Sequence, residues 1–516
     1  MSRANSSWPA RAVARLDALS PRALVWGSAL AAGLVATLCF APRYWLWPAV
    51  GVPLGDLVAI QPELNRAFFA LQQLAHPWAP VADPTNRVIE WRLLFPLLGH
   101  SLRLPEAIYL ALPHAGCVLA LAAVAGTAWR VTADRFVTLG LAVLAATTSW
   151  FFVATGWLAY FDSWLMAGLL LASFGRHRAV LLAAALLTPW IDERFILALP
   201  LALAVRGYGP GAALGDRRRW WTDAAVLAAG VVPYLAIRLG AELTQVRATS
   251  QSYWSDRPLL PAPWHATLWA TWSGLRLAWI PVAAFVLATS GRSRWLAGGL
   301  VAITLAVNLC VADDLSRSMS IALPAMVAGA LQLWRKDPGR FRRLLPWLCA
   351  GNLLLPAHHV IASPGNPETT HHSVPVLSLP AEWARSNEPP YIASPFVYNR
   401  RGMDAFQQGD RARAMAAFDL ALRFDPDFSR ARANRGILNF LAGDRTGGMA
   451  DIDAALLRSP QLWEIRMRRA GFRQQLGDLR GALEDARLTL RTMPADSNRR
   501  AELEKLERTL AAQLPR

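Results

Sequence analysis

Apolar residues run in long blocks from residue 23 to about 362; beyond Phe396 they recur at helical spacing among many charges. A bilayer crossing takes about 20 residues of helix. Eleven blocks approach that length: 23–41, 108–128, 136–155, 159–175, 178–190, 195–206, 222–239, 267–290, 295–311, 319–334 and 344–362. The fifth and sixth are short for a full crossing, and are expected to form one bent helix or a hairpin. The pattern predicts an all-α fold, with a polytopic transmembrane bundle over 23–362 and a separate helical domain behind it.

That second region is a repeat. Gly409-Asp410, Gly443-Asp444 and Gly477-Asp478 recur every 34 residues, as do Pro426, Pro460 and Pro494. Gly402 and Gly436 fall in register, with Ala470 at the third place, and so do Ala414, Gly448 and Ala482; Ala421 and Ala455 follow, with Thr489 third. A Gly-Asp pair ends one helix and starts a turn, small residues let paired helices approach, and Pro stops the second helix. The period and these positions resemble the tetratricopeptide repeat, an α-solenoid unit. Three repeats are expected over 396–498, with an amphipathic helix over 499–516 covering the apolar face that the last repeat leaves. The resemblance implies a groove for a protein or peptide partner. Arg466, Arg468, Arg469 and Arg473 share one helix, and the readings that stay open for them are a seat for an acidic or carboxylate-ended partner, a solvated face, or a surface resting on anionic lipid headgroups.

Charge orients the membrane half. With the N-terminus (1–22) inside and every block crossing, the inner segments hold 19 Arg or Lys against four acids. This is the asymmetry of the positive-inside rule. It predicts eleven spans in the cytoplasmic (inner) membrane, a long outer loop over 42–107, and the repeats on the outer, periplasmic or extracellular, side. The basic run before residue 23 is expected to precede a retained first helix and not a cleaved signal, since Pro42-Arg43-Tyr44-Trp45 offers no small-residue cleavage site. The net charge of +17 is carried almost wholly by Arg, with Lys336 and Lys505 the lysines. No basic tail or nucleic-acid motif accompanies it, so membrane lipid and a protein are the expected partners, and nucleic acid is not. The 23 Trp suit a chain with many membrane–water boundaries. Cys39, Cys117, Cys310 and Cys349 sit in apolar stretches without metal-ligand or disulfide spacing.

The acids of the membrane half collect on the outer side: Asp56, Glu63, Asp83 and Glu90 in the first loop, then Asp162, Asp192-Glu193 and Asp313-Asp314. Asp192-Glu193-Arg194 lies at the tip of the short hairpin, below the surface, where ionisable groups are costly unless paired or functional. Arg276 stands about ten residues inside an apolar block, placed either to pair or snorkel or to hold a lipid phosphate. Leu64–Leu74 is amphipathic and suits the interface.

The order of parts resembles type-C glycosyltransferases, which take sugars from polyprenyl-phosphate carriers. The parts are a first span, a long acidic outer loop with a short interfacial helix, and Arg92-Leu93-Leu94-Phe95-Pro96. Asp162 at the head of a span, Glu193 to Pro200, and Asp313 to Arg317 follow. The pattern departs from the family in lacking an Asp-x-Asp pair in the first loop. The resemblance implies a polyprenyl-phosphate sugar donor, with or without a divalent metal ion. It implies a carboxylate base, with Asp56 first and Asp83, Glu90, Asp192 and Glu193 behind it. It also implies arginines on the lipid phosphate, namely Arg92, Arg194, Arg276 and Arg317. The alternative expectation is a non-catalytic membrane scaffold that presents the repeats to a partner in envelope assembly.

Between the two halves, residues 363–395 hold seven prolines and read as a semi-extended linker. His358-His359 and His371-His372 flank its start, but no carboxylate or Cys completes a metal-ligand set by spacing, so no metal site is expected.

Overall fold

A computed structural model of the chain describes residues 19–40, 65–79, 89–209, 217–243, 263–289, 291–312, 314–362, 371–376, 395–424, 426–493, 497 and 499–514. Described residues up to Val376 form one compact unit and those from Pro395 a second. The fold is all-α apart from one two-stranded hairpin in the first unit.

The first unit opens with α1 (Pro21–Cys39), capped by Ser20, then α2 (Asn65–Ala75), α3 (Leu94–Ser101) and the long α4 (Glu106–Thr132). Asp134 caps α5 (Arg135–Ala146), which meets α6 (Ser149–Gly156) at a 61° bend. The bend lies at Thr147-Thr148, whose hydroxyls each donate back to a helix carbonyl, of Leu144 and Ala145, at 2.7 Å. Such local bonds compete with the helix ladder. Then come α7 (Asp162–Phe174), α8 (Arg178–Leu187) with a 3-10 turn at Thr188–Trp190, α9 (Arg194–Tyr208) and α10 (Arg217–Leu243). Next, α11 (Trp264–Leu275) and α12 (Trp279–Ala288) are joined by a 3-10 turn at Arg276–Ala278. The unit finishes with α13 (Gly291–Val311), α14 (Leu315–Met319), α15 (Leu323–Lys336), α16 (Pro338–Leu354) and the antiparallel strands β1 (Ala357–Ala362) and β2 (His371–Val376).

Among the described residues five stretches are long and apolar enough to cross a membrane: α1, α4, Arg218–Ala241, Trp264–Ala288 and Ser293–Cys310. The bent α5–α6 pair makes a sixth if taken as one span. The chain is a multi-pass membrane protein by this measure. The eleven crossings expected from the pattern are not all single long helices. Pro189 and Asp192 separate α8 from α9, and a 3-10 turn at Ser320–Ala322 precedes α15. The block at 344–362 breaks at Pro356: Leu355 is extended (φ −69°, ψ 141°), as residues before proline are, and the chain continues as β1. His371–Val376, inside the expected linker, pairs with β1 residue by residue. The short hairpin at 178–206 is present as α8 and α9.

The second unit is three helical hairpins and a final helix: α17 (Pro395–Gln407) with α18 (Arg411–Phe424), α19 (Ser429–Ala442) with α20 (Arg445–Arg458), α21 (Trp463–Gln475) with α22 (Leu479–Thr492), and α23 (Arg500–Gln513). Gly409, Gly443 and Gly477 end the first helix of each hairpin with φ of 81°, 105° and 83°, a conformation glycine adopts freely. The aspartate after each glycine accepts a 2.9 Å bond from a backbone N–H three residues on, capping the second helix. A Cβ on Gly436 would lie 2.7 Å from the Gly448 carbonyl oxygen, so only hydrogens permit that crossing. Ala414, Ala421, Ala455, Ala470 and Ala482 are fully buried, and Gly402 lies against the Phe418 ring. Stacked Phe440 and Phe472 rings, 3.9 Å apart, join the second hairpin to the third. Leu503 and Leu510 of α23 bury themselves in the cluster that holds Ala482, Leu483 and Ala486. Pro494 lies outside the described residues.

Candidate functional site: a buried chain of alternating charges

Asp162 opens α7, and its neighbours hold it in place. Ser163 Oγ and Trp164 Nε1 donate to the carbonyls of Pro113 and Leu112 in α4 at 2.7 and 2.9 Å, and Phe161 stacks on Phe95. From the opposite side, the Asp192 carboxylate caps the Arg194 backbone N–H at 3.0 Å, while its two oxygens take the Arg194 Nε and Nη2 at 2.9 and 2.6 Å. The turn between α8 and α9 therefore fixes the guanidinium that it offers to Asp162. A third element, α14, is tied to α6 by Ser149 Oγ donating to the Ser316 carbonyl at 2.9 Å, and by the Trp150 N–H donating to Ser320 Oγ at 3.0 Å. It carries Arg317.

The ionised groups then meet in strict alternation. Glu193 takes the Arg92 Nη2 at 2.9 Å, and Arg92 Nη1 reaches Asp192 at 3.2 Å. Asp192 holds Arg194, and Arg194 Nη2 reaches Asp162 Oδ1 at 2.7 Å. The other oxygen of Asp162 takes Arg317 Nη1 at 2.7 Å, and Arg317 Nη2 reaches Asp314 Oδ2 at 2.6 Å. Asp314 Oδ1 receives His359 Nε2 of β1 at 2.8 Å. Glu193, Arg92, Asp192, Arg194, Asp162, Arg317, Asp314 and His359 thus form one chain. Its Glu193 end is 20% exposed and its His359 end is 0% exposed.

Burial by itself would raise the Asp192 carboxyl, but Arg194 and Arg92 outweigh it and hold the group well below the usual carboxylate range. Burial opposes ionisation of Asp314 as well, and Arg317 and His359 overcome it in the same direction. The converse holds for Arg92: burial would lower it, and Asp192 with Glu193 keeps it above the ordinary guanidinium value. For Asp192, Asp314 and Arg92 alike, the opposite charges alongside outweigh burial.

Tyr160 lies beside the chain. Arg317 stands over its ring at 4.6 Å from the centroid and Arg66 of α2 at 5.3 Å, while the His359 ring meets it edge-on at 6.3 Å. Trp157 packs on His359 at 4.5 Å. The turn that carries these aromatics includes Ala159 at φ 61°, strained backbone for an alanine.

No family model matches this chain. No curated protein matches it significantly either.

The residues that the sequence nominates are placed as follows. Arg92, Arg194 and Arg317, with Asp192 and Glu193, come together in the chain of charges. Glu90 is buried (2% exposed), two residues before Arg92. Asp56, Glu63 and Asp83 lie outside the described residues. Arg276 is not in the chain. It is fully buried over the Phe40 and Phe152 rings at 5.5 and 5.7 Å, and donates to the Thr147 carbonyl and, at 2.9 Å, to that of Asn352. There it pins the break between α11 and α12 to the bend between α5 and α6, with a backbone at φ 50° that few non-glycine residues adopt. The Asn352 side chain completes this knot by accepting from Leu277 N at 2.8 Å and donating to the Leu275 carbonyl at 3.0 Å. Among the described residues no group of three His, Cys, Asp or Glu is placed to hold a metal ion.

Sequence reasoning misses Arg66, Tyr160 and the role of His359. The one available signal is His359 itself, set beside His358 with no carboxylate at ligand spacing; its partner in the fold is Asp314, 45 residues upstream.

In the second unit the arginine-rich helix α21 is mostly occupied internally. Arg469 takes both oxygens of Asp485 at 2.8 and 2.6 Å and reaches back to Asp453 at 2.7 Å. One period earlier, Arg435 takes Asp451 at 2.8 and 2.9 Å and Asp419 at 3.0 Å. Arg466 donates to the Pro460 carbonyl and Arg473 pairs with Asp485. Arg468 instead lines a cleft of about 430 Å³ between α21 and α23, with Phe472, Gln475, Arg499, Lys505 and Leu506.

Proposed function

We propose that the first unit is a membrane transferase that moves a glycosyl group from a polyprenyl-phosphate-linked sugar to an acceptor hydroxyl. The observation that carries this reading is the buried chain of charges. Four carboxylates and three arginines from four separate segments meet where apolar helices end, and a bundle serving only as an anchor has no use for so costly an arrangement. In the reaction a carboxylate takes the acceptor's proton as its oxygen bonds to the sugar C1, and the C1–O bond to phosphate breaks with its electron pair leaving on the phosphate. Glu193, at the partly exposed end and bound to Arg92, has the access that Asp192 and Asp162 lack. Arg317, which keeps one nitrogen unpartnered among the described residues, offsets charge on the departing phosphate.

The second unit is, in this reading, a tetratricopeptide repeat domain that binds a protein or peptide partner. The 34-residue hairpins, their glycine turns and aspartate caps support it. An inner-membrane location with the repeats outside is part of this reading, and it rests on the arginine asymmetry with an odd number of crossings.

One observation favours the second reading, a scaffold without chemistry. Both oxygens of Asp162 are committed to arginines, one to Arg194 and the other to Arg317. Purified protein given a polyprenyl-phosphate-linked hexose decides between them. Release of polyprenyl phosphate by wild type, lowered at least a hundredfold in Glu193→Gln with lipid binding retained, supports the transferase. Intact donor after exhaustive incubation with a range of envelope hydroxyl acceptors supports the scaffold.

A further inference from the structure

Three buried side-chain nitrogens that have no hydrogen-bond partner among the described residues belong to residues that touch one ring. They are Arg66 Nε, Arg317 Nε and His359 Nδ1, and the ring is Tyr160. Buried donors are seldom left unmade, and several gathered at one place call for a ligand. Arg66 makes no ion pair among the described residues; its guanidinium faces the tyrosine, and Asp314, Arg92 and Arg317 are the charges near it. Arg317 has given two nitrogens to carboxylates and keeps the third. With Nε2 turned to Asp314, His359 has Nδ1 left to accept from a protonated oxygen when the ring is neutral, or to donate when it is charged. Two guanidinium N–H donors and one ring nitrogen of either role match the mixed oxygens of a phosphate, which is acceptor-rich and carries a proton in its monoanionic form.

We propose that Arg66, Arg317 and His359, gathered round Tyr160, form the seat of a phosphate group, either the phosphate of a lipid carrier or phosphate free in solution. As a carrier seat it deepens the transferase reading and rests on it; as a phosphate seat it stands alone. It puts the anion at the His359 end of the chain, away from Arg92. Arg66 is the residue to change, because its removal breaks no ion pair among the described residues.

The test uses the full-length protein in mild detergent, with native mass spectrometry against polyprenyl monophosphate and thermal shift against inorganic phosphate. Arg66→Gln is expected to weaken binding of the lipid at least tenfold at an unchanged melting temperature, with Arg66→Lys recovering part of it and Arg92→Gln losing less than threefold. Inorganic phosphate bound through Arg66, with no lipid bound, keeps the seat and removes the transferase reading. Lipid bound equally by wild type and Arg66→Gln overturns the seat and leaves the transferase reading standing. Neither probe binding to wild type overturns the seat as well. Should Arg66→Gln not fold, Arg66→Lys read against both probes carries the same decision.

Discussion

Asp162 and Arg194 meet at 2.7 Å in the interior of the first unit, 32 residues apart in sequence and almost wholly hidden from solvent. Asp162 holds Arg317 with its other oxygen, so the one carboxylate serves two guanidinium groups. Asp162→Ala leaves both without that partner. Breaking one side of a buried pair costs about 3–5 kcal/mol, and a loss in that range is expected in unfolding of the detergent-solubilised protein. Asp162→Asn, which keeps the shape and one acceptor, is expected to lose less. Equal losses of under 1 kcal/mol in both would mean that the pair is solvated in the working protein.

The carboxyls of Asp192 and Asp314, outside the apolar spans, are held below their usual range despite burial, by Arg194 and Arg92 in one case and Arg317 and His359 in the other. A carboxyl lowered by folding contributes stability that is complete above its unfolded value of about 3.9, and this is lost as pH falls towards the folded value. The melting temperature is therefore expected to stay level from about pH 7 to about pH 5 and to drop below about pH 4. A full drop above pH 5 would place the sensitive group elsewhere.

Two glycines of the second unit respond oppositely to the same change. Gly436→Ala drives a methyl into the Gly448 carbonyl and is expected to cost about 1–3 kcal/mol. Gly471, inside α21, has open space where a methyl would stand, so Gly471→Ala is expected to add about 0.5–1 kcal/mol through helix propensity. Hydrogen exchange of the amides in α19–α22 reads both. Equal effects would show that these helices do not pack at that glycine crossing.

Arg469→Met and Arg468→Met differ by one position. The first removes the clasp on Asp485 and Asp453 and is expected to lower protection of α20–α22, by about 1.5–3 kcal/mol. The second changes only the charge of the cleft beside α23, with a stability change within about 0.5 kcal/mol. Reversal of that order would show that Arg468, and not Arg469, carries the internal clasp.

Periodicity made the second unit readable in advance. Gly443 and Asp444 recur at a fixed interval because the backbone needs a left-handed turn and a cap at that interval, and both are properties of single residues. The hairpin tip was legible for a related reason, since Asp192-Glu193-Arg194 stands between runs too short to hide it. The links from Asp162 to Arg317 and from Asp314 to His359 leave no mark on any window of sequence, because they depend on where α7, α14 and β1 pack. The same limit applies to the lone arginines: Arg276, conspicuous in an apolar block, packs at a helix break, whereas Arg66, ordinary in an amphipathic stretch, faces Tyr160. The block at 344–362 misleads by average hydropathy, which does not register that Pro356 ends a helix.

Arg435 reaches back 16 residues to Asp419 and forward 16 to Asp451, and Arg469 does the same with Asp453 and Asp485. The middle hairpin thus offers its follower, at Asp453, the register equivalent of the carboxylate that it takes from its forerunner at Asp419. At the two ends the rule lapses: Ala417 stands where the first hairpin would hold its clasping acid, and Arg487, where the next acid would be offered, turns to Glu507 of α23. A gene segment of 34 codons copied in frame between these ends would be received by bonds already in place, so the array can lengthen or shorten by whole units while both of its closures stay as they are.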